Sequence, residues 1–354
     1  MAKRDIIVVG ASAGGVETLI SFVKTLPKEL DVSIFVVIHL SPFSTSNLPQ
    51  ILSRAGALKA VEAKDGDKIQ KGMIYIAKPD HHMLLEKGDK IAVSKGPKEN
   101  RFRPSVDALF RSAALIYGPR VTGIVMSGLL DDGTSGMWNI KRSGGLAVVQ
   151  DPNEALFPSM PENVMQYVDV DYVLPVVEIG ELLGRLTTEK ATKRPDMTKE
   201  EMDLLKMEVV IASRGNAFEI GILEKGKLTT FACPECKGAL VSITEGEMIR
   251  FRCHTGHAYT SSTLLAGITV QVEEKLWEAM QALESTAMLL RQISGHYTSL
   301  GYADSARQFK KKSNEIANRA KMIHDTVFTQ ELMSEDMRFE RPKSKSSVNV
   351  RRRK

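Results

Sequence analysis

The chain has 354 residues, 43% apolar and 26% charged, an ordinary globular composition with room for two domains or one domain with appendages. No apolar run approaches ~18 residues, which excludes an obvious membrane span, and the opening Met-Ala-Lys-Arg-Asp lacks a signal peptide's apolar core, so the cytoplasm is the expected compartment. The net charge of +5 is local: residues 341–354 carry seven Lys and Arg and no acid, so the remaining body is slightly acidic and no nucleic-acid partner is expected.

From the start to about residue 186, short apolar runs alternate with helix-length segments. Strands are predicted at 6–9, 33–38, 73–76, 121–126, 147–149 and 171–174, and helices at 16–25, 47–55, 105–117, 134–143, 161–167 and 179–186. Such alternation argues for an α/β domain with a mostly parallel sheet. Residues 83–93 interrupt it and read as a β-hairpin with Gly88 in the turn. Residues 187–196 are polar and read as a linker, and Thr198-Lys-Glu-Glu201 has the form of a capping box that starts a helix. A cysteine-bearing, glycine-punctuated module follows at about 229–260. Beyond it, Leu276, Met280, Leu283, Ala287 and Leu290, then Phe309, Ser313, Ile316, Ala320 and Ile323, recur at four-three spacing. Two helices forming a hairpin or short coiled coil are expected there.

The chemistry is sought at the carboxyl ends of the strands, where open α/β sheets collect their ligands. After the first strand comes Gly10-Ala-Ser12-Ala-Gly14, a serine on a tight strand-to-helix turn with outward amides at a helix N-terminus. After the second comes His39, and after the 121–126 strand comes Ser-Gly-Leu-Leu-Asp131-Asp132-Gly133. A hydroxyl nucleophile needs a base, and the base needs an acid to fix its tautomer and steady its charge. All three types converge on one edge. A dinucleotide fold would instead place an acid about 20 residues beyond the glycine turn, where this chain has His39. Asp131 competes with Asp132 as the acid, and His81 and His82 compete as bases. The order Ser, His, Asp also differs from the Ser, Asp, His order of α/β-hydrolases.

Five segments in order, Gly-Ala-Ser12-Ala-Gly-Gly, Val-Ile-His39-Leu-Ser-Pro, Ile-Tyr-Ile-Ala-Lys-Pro-Asp-His-His-Met83, Arg103-Pro-Ser-Val-Asp-Ala-Leu-Phe110 and Asp132-Gly-Thr-Ser-Gly-Met137, resemble the catalytic domain of the chemotaxis protein-glutamate methylesterase (CheB) family over residues 4–188. The resemblance implies a Ser-His-Asp hydrolase that demethylates glutamyl esters on chemoreceptors, deamidates receptor glutamines and works in adaptation of a phosphorelay. It implies Ser12 as nucleophile, His39 as base and then acid, and Asp132 as the orienting carboxylate. The oxyanion donors would be the amides of Ala13 and of Leu129 in the 128–130 turn, while Arg101 and Arg103 are candidates to face an acidic receptor. No cofactor is expected for catalysis. The partners implied are the receptors, with a cognate methyltransferase or other chemosensory proteins. Ala13 stands where the family has threonine, and Gly-Leu-Leu-Asp-Asp-Gly stands where Gly-Met-Gly-Asn-Asp-Gly is expected. The family's fused receiver domain is not expected, since the chain given opens on the catalytic strand. A signalling adaptor on a degenerate hydrolase domain, or an esterase of small molecules, are the alternatives.

In the second half, Cys233-Pro-Glu-Cys236 and Cys253-His-Thr-Gly-His257 use all three cysteines and, with His257, make a tetrahedral zinc set. His254 is the rival fourth ligand, though spacing from Cys253 favours His257. Such a closed site would be structural. The expected organisation is therefore a catalytic domain at 1–188, a linker and helix at 189–228, a zinc module at 229–260, a helical hairpin at 261–333 and a basic disordered tail at 334–354.

Overall fold

The computed structural model describes residues 3–42 and 46–329. The expected basic tail at 334–354 lies outside the described residues. Two compact units are present, Met1–Leu264 and Leu265–Lys354.

The first unit is built on seven parallel strands: β1 (Ile6–Ala11), β2 (Ser33–Ile38), β3 (Lys59–Glu62), β4 (Met73–Ile76), then, beyond an antiparallel hairpin of β5 (His82–Glu86) and β6 (Lys90–Ser94), β7 (Val121–Val125), β8 (Leu146–Gln150) and β9 (Tyr172–Leu174). Their order across the sheet is β3-β4-β2-β1-β7-β8-β9. β1 and β2 are buried along their whole length, as expected for β-branched runs covered on both faces. Alternate residues divide between two cores. Ile7, Val9, Ile34 and Val36 pack with Leu19 and Phe22 of α1 (Gly15–Thr25), Leu52 of α2 (Leu48–Ala55) and, farther along the chain, Leu182 of the helix Val176–Leu186. Val8, Phe35 and Val37 pack on the opposite side with Leu109 and Phe110 of α3 (Val106–Tyr117), Met137 of α4 (Thr134–Arg142) and Met160 of α5 (Ser159–Tyr167). The sheet is thus doubly wound. Its order runs outward in both directions from β1, so the carboxyl ends of β1, β2 and β7 open on a single crevice.

Within residues 1–188 the predicted strands are present, with one addition. β3 was not anticipated because Lys59-Ala-Val-Glu62 is short, flanked by charge and only partly buried, so it lacks an apolar signature. β1 also runs through Gly10 to Ala11, two residues beyond its apolar run. With Val176–Leu186 as α6, α7 (Lys199–Arg214) starts at Thr198 in the expected capping box, the Thr198 hydroxyl accepting from the Glu201 amide and the Glu201 carboxylate from the Thr198 amide. The polar 187–196 stretch is packed: Ala191 is buried, and Arg194 donates to the carbonyls of Ala114 and Leu115. After α8 (Ile222–Lys225), the cysteine-bearing stretch forms an antiparallel sheet of β10 (Lys227–Ala232), β11 (Ala239–Glu245), β12 (Met248–Cys253) and β13 (Ala258–Thr260).

The body of α9 (Ser261–Ser299) and α10 (Ala303–Phe328) make the second unit, reversing at Gly301 with φ +81°. Met280, Ala287, Ala306, Ser313 and Ala320 are buried on the four-three stripes. Tyr297 stacks on Phe309, and the Ser313 hydroxyl donates to the Ala287 carbonyl. This is an antiparallel helical pair. No helix among the described residues is long and apolar enough to cross a membrane.

Candidate active site

Gly14 takes φ +69°, a left-handed conformation natural to glycine, and this lets the chain turn from β1 into α1 within three residues. The turn carries Ser12 at the edge of the sheet beside the positive end of the α1 dipole. It is pinned from below, the Ser12 amide donating to the Ser127 carbonyl (2.9 Å) and the Ser127 hydroxyl to the Ala13 carbonyl (2.8 Å). Gly128 answers a different need. A Cβ there would fall 2.8 Å from Ser12 Cβ and collide with Met160.

His39 follows β2 directly. Its Nδ1 lies 3.0 Å from Ser12 Oγ and its Nε2 lies 2.8 Å from Asp132 Oδ2. With Nε2–H donating to the carboxylate, Nδ1 presents a lone pair to the serine hydroxyl, the tautomer a general base requires. Phe102 stacks on the imidazole at 3.7 Å between centroids and 7° between planes, fixing the ring orientation.

Asp132 is the most heavily bonded group in the crevice. Its Oδ1 accepts from Asn100 Nδ2 (2.9 Å), the Ser105 hydroxyl (2.8 Å) and the Asp107 amide (3.2 Å), and its Oδ2 accepts from the Val106 amide (2.7 Å) as well as His39. Burial works to push this carboxyl up, but the hydrogen bonds from His39, Asn100 and Val106 outweigh it and hold Asp132 below the ordinary carboxylate range. Asp107 stands behind it, accepting from the Gly133 and Gly136 amides and from Asn100. Burial and the Asp132 charge push its carboxyl up to about 7.

The rival residues have other partners. Asp131 accepts from the hydroxyls of Thr260 (2.8 Å) and Ser262, away from His39. His82 is fully buried, its Nε2–H donating to the Pro97 carbonyl (2.9 Å) while its Nδ1 accepts from the Ser105 amide (3.2 Å), and burial lowers its pKa. His81 Nδ1 lies 2.9 Å from the Pro79 carbonyl. Among the arginines, Arg103 is committed: its fork clamps Asp80 at 2.7 and 3.0 Å and donates to the Gly96 carbonyl. Arg101 sits beside Phe102 at φ +73°. For an oxyanion, the Ser12 amide is taken by Ser127 and the Gly128 amide by the Phe157 carbonyl. Ala13 and Leu129 are the residues that follow. Leu130, at φ +62°, is held in that turn by donors from Ser159 and Asn163 to its carbonyl.

Burial pushes the Asp131 carboxyl up to about 6. Its folded value exceeds its unfolded one, so its contribution to stability is complete below about pH 4 and is lost as pH rises through about 6. Asp131→Asn is therefore expected to show a smaller fall in Tm between about pH 5 and pH 7 than the wild type. Equal falls in scanning calorimetry would contradict this.

Sequence reasoning missed the residues that hold the acid and the base. Asn100, Phe102, Ser105 and Asp107 lie in or just beyond a polar loop whose only signal was its place among the quoted segments. It also missed a fully buried ion network of three acids and three arginines. Arg111 pairs with Glu99 and, at 3.7 Å, Glu208; Arg252 pairs with Glu99 (2.8 Å) and Glu208; Arg250 pairs with Glu208 (3.4 Å) and Glu245 (3.2 Å). Glu245 also accepts from Ser135 on α4 (2.6 Å). Burial penalises the Glu99 and Glu208 carboxyls, but the surrounding guanidiniums hold both below the ordinary range.

A second cluster lies in the same unit. The ligand atoms of Cys233, Cys236, Cys253 and His257 all lie within 4.8 Å of one another. Cys236 and Cys253 sulfurs are 3.6 Å apart, and His257 Nδ1 is 3.7 Å from Cys233 Sγ and 3.6 Å from Cys253 Sγ. These are far beyond a disulfide and close to the ~3.8 Å edge of a tetrahedron with ~2.3 Å metal–sulfur bonds. The donor set fits a soft or borderline divalent metal. The Thr255 hydroxyl lies beside it and donates to Cys236 Sγ (3.2 Å). His254 is outside the cluster, its ring lying against Gly238.

Fold and site together define the class: a doubly wound α/β protein with a Ser–His–Asp relay at the carboxyl edge of its sheet. The CheB methylesterase family model matches residues 7–183. The chain belongs to the CheB methylesterase family. A Leptospira interrogans protein is 37% identical over 190 residues, 54% of this chain and 98% of that one. The protein-glutamate methylesterase/protein-glutamine glutaminase 2 of Methanosarcina mazei is 35% identical over 190 residues, 52% of each chain, so this match spans about half of that relative. Among solved structures, the Thermotoga maritima CheB methylesterase catalytic domain aligns with a TM-score of 0.50 at 34% identity, over 52% of this chain and 99% of that one.

Proposed function

We propose that this chain is a protein-glutamate methylesterase, with protein-glutamine glutaminase activity at the same site, acting on chemoreceptors in chemosensory adaptation. The observation that carries the reading is the unbroken hydrogen-bonded line from Ser12 through His39 to Asp132. Ser12 Oγ attacks the glutamyl ester carbonyl while His39 Nδ1 takes its proton, and Asp132 steadies the imidazolium. The negative charge on the carbonyl oxygen is received by the amides of Ala13 and Leu129. Collapse breaks the bond to the methoxy group, which leaves as methanol with the proton from His39. Water then gives its proton to His39 and attacks the acyl-enzyme, releasing glutamate and restoring Ser12. With a glutamine the leaving group is ammonia. Arg101 is the cation left to meet an acidic receptor, Arg103 being tied to Asp80.

In this reading residues 1–188 carry the chemistry in the cytoplasm, and residues 229–260 hold a structural Zn2+ on Cys233, Cys236, Cys253 and His257. Incubation with membranes carrying methyl-labelled chemoreceptors is expected to release labelled methanol. Hydrolysis of small soluble esters with no release from receptors would overturn the substrate class, and hydrolysis of neither would favour an adaptor.

A further inference from the structure

The end of β12 and the loop that leads to β13 carry two of the four clustered ligands, Cys253 and His257, and the flanks of this loop reach directly into the catalytic crevice. On one flank, Arg252 donates to the Gly256 carbonyl inside the loop (2.6 Å) and to Glu99 (2.8 Å). On the other, the Ala258 carbonyl accepts from the Asn100 amide (2.8 Å), and the Ala258 amide donates to the Lys98 carbonyl (3.3 Å). Two residues on, the Thr260 amide and the Thr263 hydroxyl both donate to Asn100 Oδ1 at 3.2 Å.

Asn100 is thus held on its backbone and on its side-chain oxygen by the strand that leaves the ligand loop and by Thr263 just beyond that strand. Its side-chain nitrogen divides between Asp132 (2.9 Å) and Asp107 (2.8 Å). Asn100 sits at φ +51°, and two residues later Phe102 stacks on His39. The segment 99–102 therefore touches the acid and the base of the relay on one side and the strands that flank the ligand loop on the other. All of these groups lie in the first compact unit. An asparagine with every side-chain atom committed transmits displacement, because moving its acceptor side drags its donor side.

We propose that metal bound by Cys233, Cys236, Cys253 and His257 sets the geometry of the His39–Asp132 pair through Asn100, so that loading this site governs the rate of the chemical step. Asn100 is a positioning residue here and touches no substrate. The metal is a thiophilic divalent cation, for which zinc is the probe. This inference rests on the hydrolase reading for its effect on rate, but not for its effect on geometry.

The test uses the full chain, loaded with one equivalent of zinc and then stripped with a chelator under reducing conditions. Bound metal is quantified directly, and substitution by Co2+ is expected to give the absorption of a tetrahedral thiolate site. The low-field proton resonance of His39 Nε2–H, assigned by its loss in His39→Ala, reports the bond to Asp132 without any turnover. Stripping is expected to shift or broaden this resonance and to lower kcat about 10²-fold with KM little changed, the size of effect a displacement of about 1 Å produces. Cys236→Ser, at a half-exposed ligand, should reproduce both effects with far-UV circular dichroism retained.

In Asn100→Ala the zinc should still bind, the acid limb of the kcat/KM profile should move to higher pH, and stripping should change the resonance no further. Failure to bind zinc, or a resonance and kcat indifferent to its removal, would overturn the proposal. A loaded protein that hydrolyses no ester, yet whose resonance still follows zinc, would remove the hydrolase reading and leave the coupling in place.

Discussion

Ser12→Ala is expected to reduce kcat by about 10⁴- to 10⁶-fold, the range found when a serine nucleophile is removed from an intact relay. The size follows from the local geometry. Ser12 Oγ is the atom that His39 Nδ1 meets, at 3.0 Å, and alanine leaves the base with no hydroxyl to activate. The fold should be unaffected. The bonds that secure this turn run from the Ser12 amide to Ser127 and from the Ser127 hydroxyl to the Ala13 carbonyl, and the substitution keeps both. Methanol release measured beside thermal unfolding checks the two parts together. An unchanged rate would remove Ser12 as nucleophile, whereas loss of rate with a lowered Tm would show that the serine also holds the turn.

The second large effect is on stability. Arg252→Ala should lower the unfolding free energy by about 3–5 kcal/mol, because it strips Glu99 and Glu208 of a shared partner while leaving both buried. It also removes the donor to the Gly256 carbonyl. For a folded body of this size such a loss corresponds to roughly 6–20 °C in Tm. Combining Arg252→Met with Glu99→Gln should cost less than the sum of the two single changes, since the second substitution removes a charge that the first has orphaned. Calorimetry on the four proteins reads this coupling. Strict additivity would mean that the charges act independently.

The sheet and the relay were legible because their signals are local. Ile6 to Val9 is an apolar β-branched run that ends in a glycine turn, His39 follows such a run directly, and the Asp131-Asp132 pair follows another after the four-residue turn Ser-Gly-Leu-Leu. The choice between the two aspartates was not local. Asp132 accepts from His39, while Asp131 turns to Thr260 and Ser262, residues 129 and 131 positions away. That also gives a physical reason for an acid at 131, where asparagine was expected from the resemblance: two hydroxyls from beyond the cysteine module meet it. The ion network escaped for the same reason. Glu99 looks like one more charge in a solvated loop, and Glu208 like the polar face of a helix. Only the folded chain brings Arg252 to both. Of the expected substrate arginines, Arg103 belongs to the scaffold, because Asp80 lies at the bend after β4, within reach of its fork.

The network also decides what counts as one piece of this molecule. The family model ends at residue 183, yet Arg111 at the centre of the catalytic half finds its second acid, Glu208, beyond that limit, and Glu99 finds its second guanidinium, Arg252, farther still. A charge balance closed across that limit ties the inheritance of the two segments together. The catalytic half cannot lose the extension, nor exchange it for an unrelated one, without first replacing its own buried charges. The family boundary in this chain marks shared ancestry, and the folding boundary lies some eighty residues later, at Leu264.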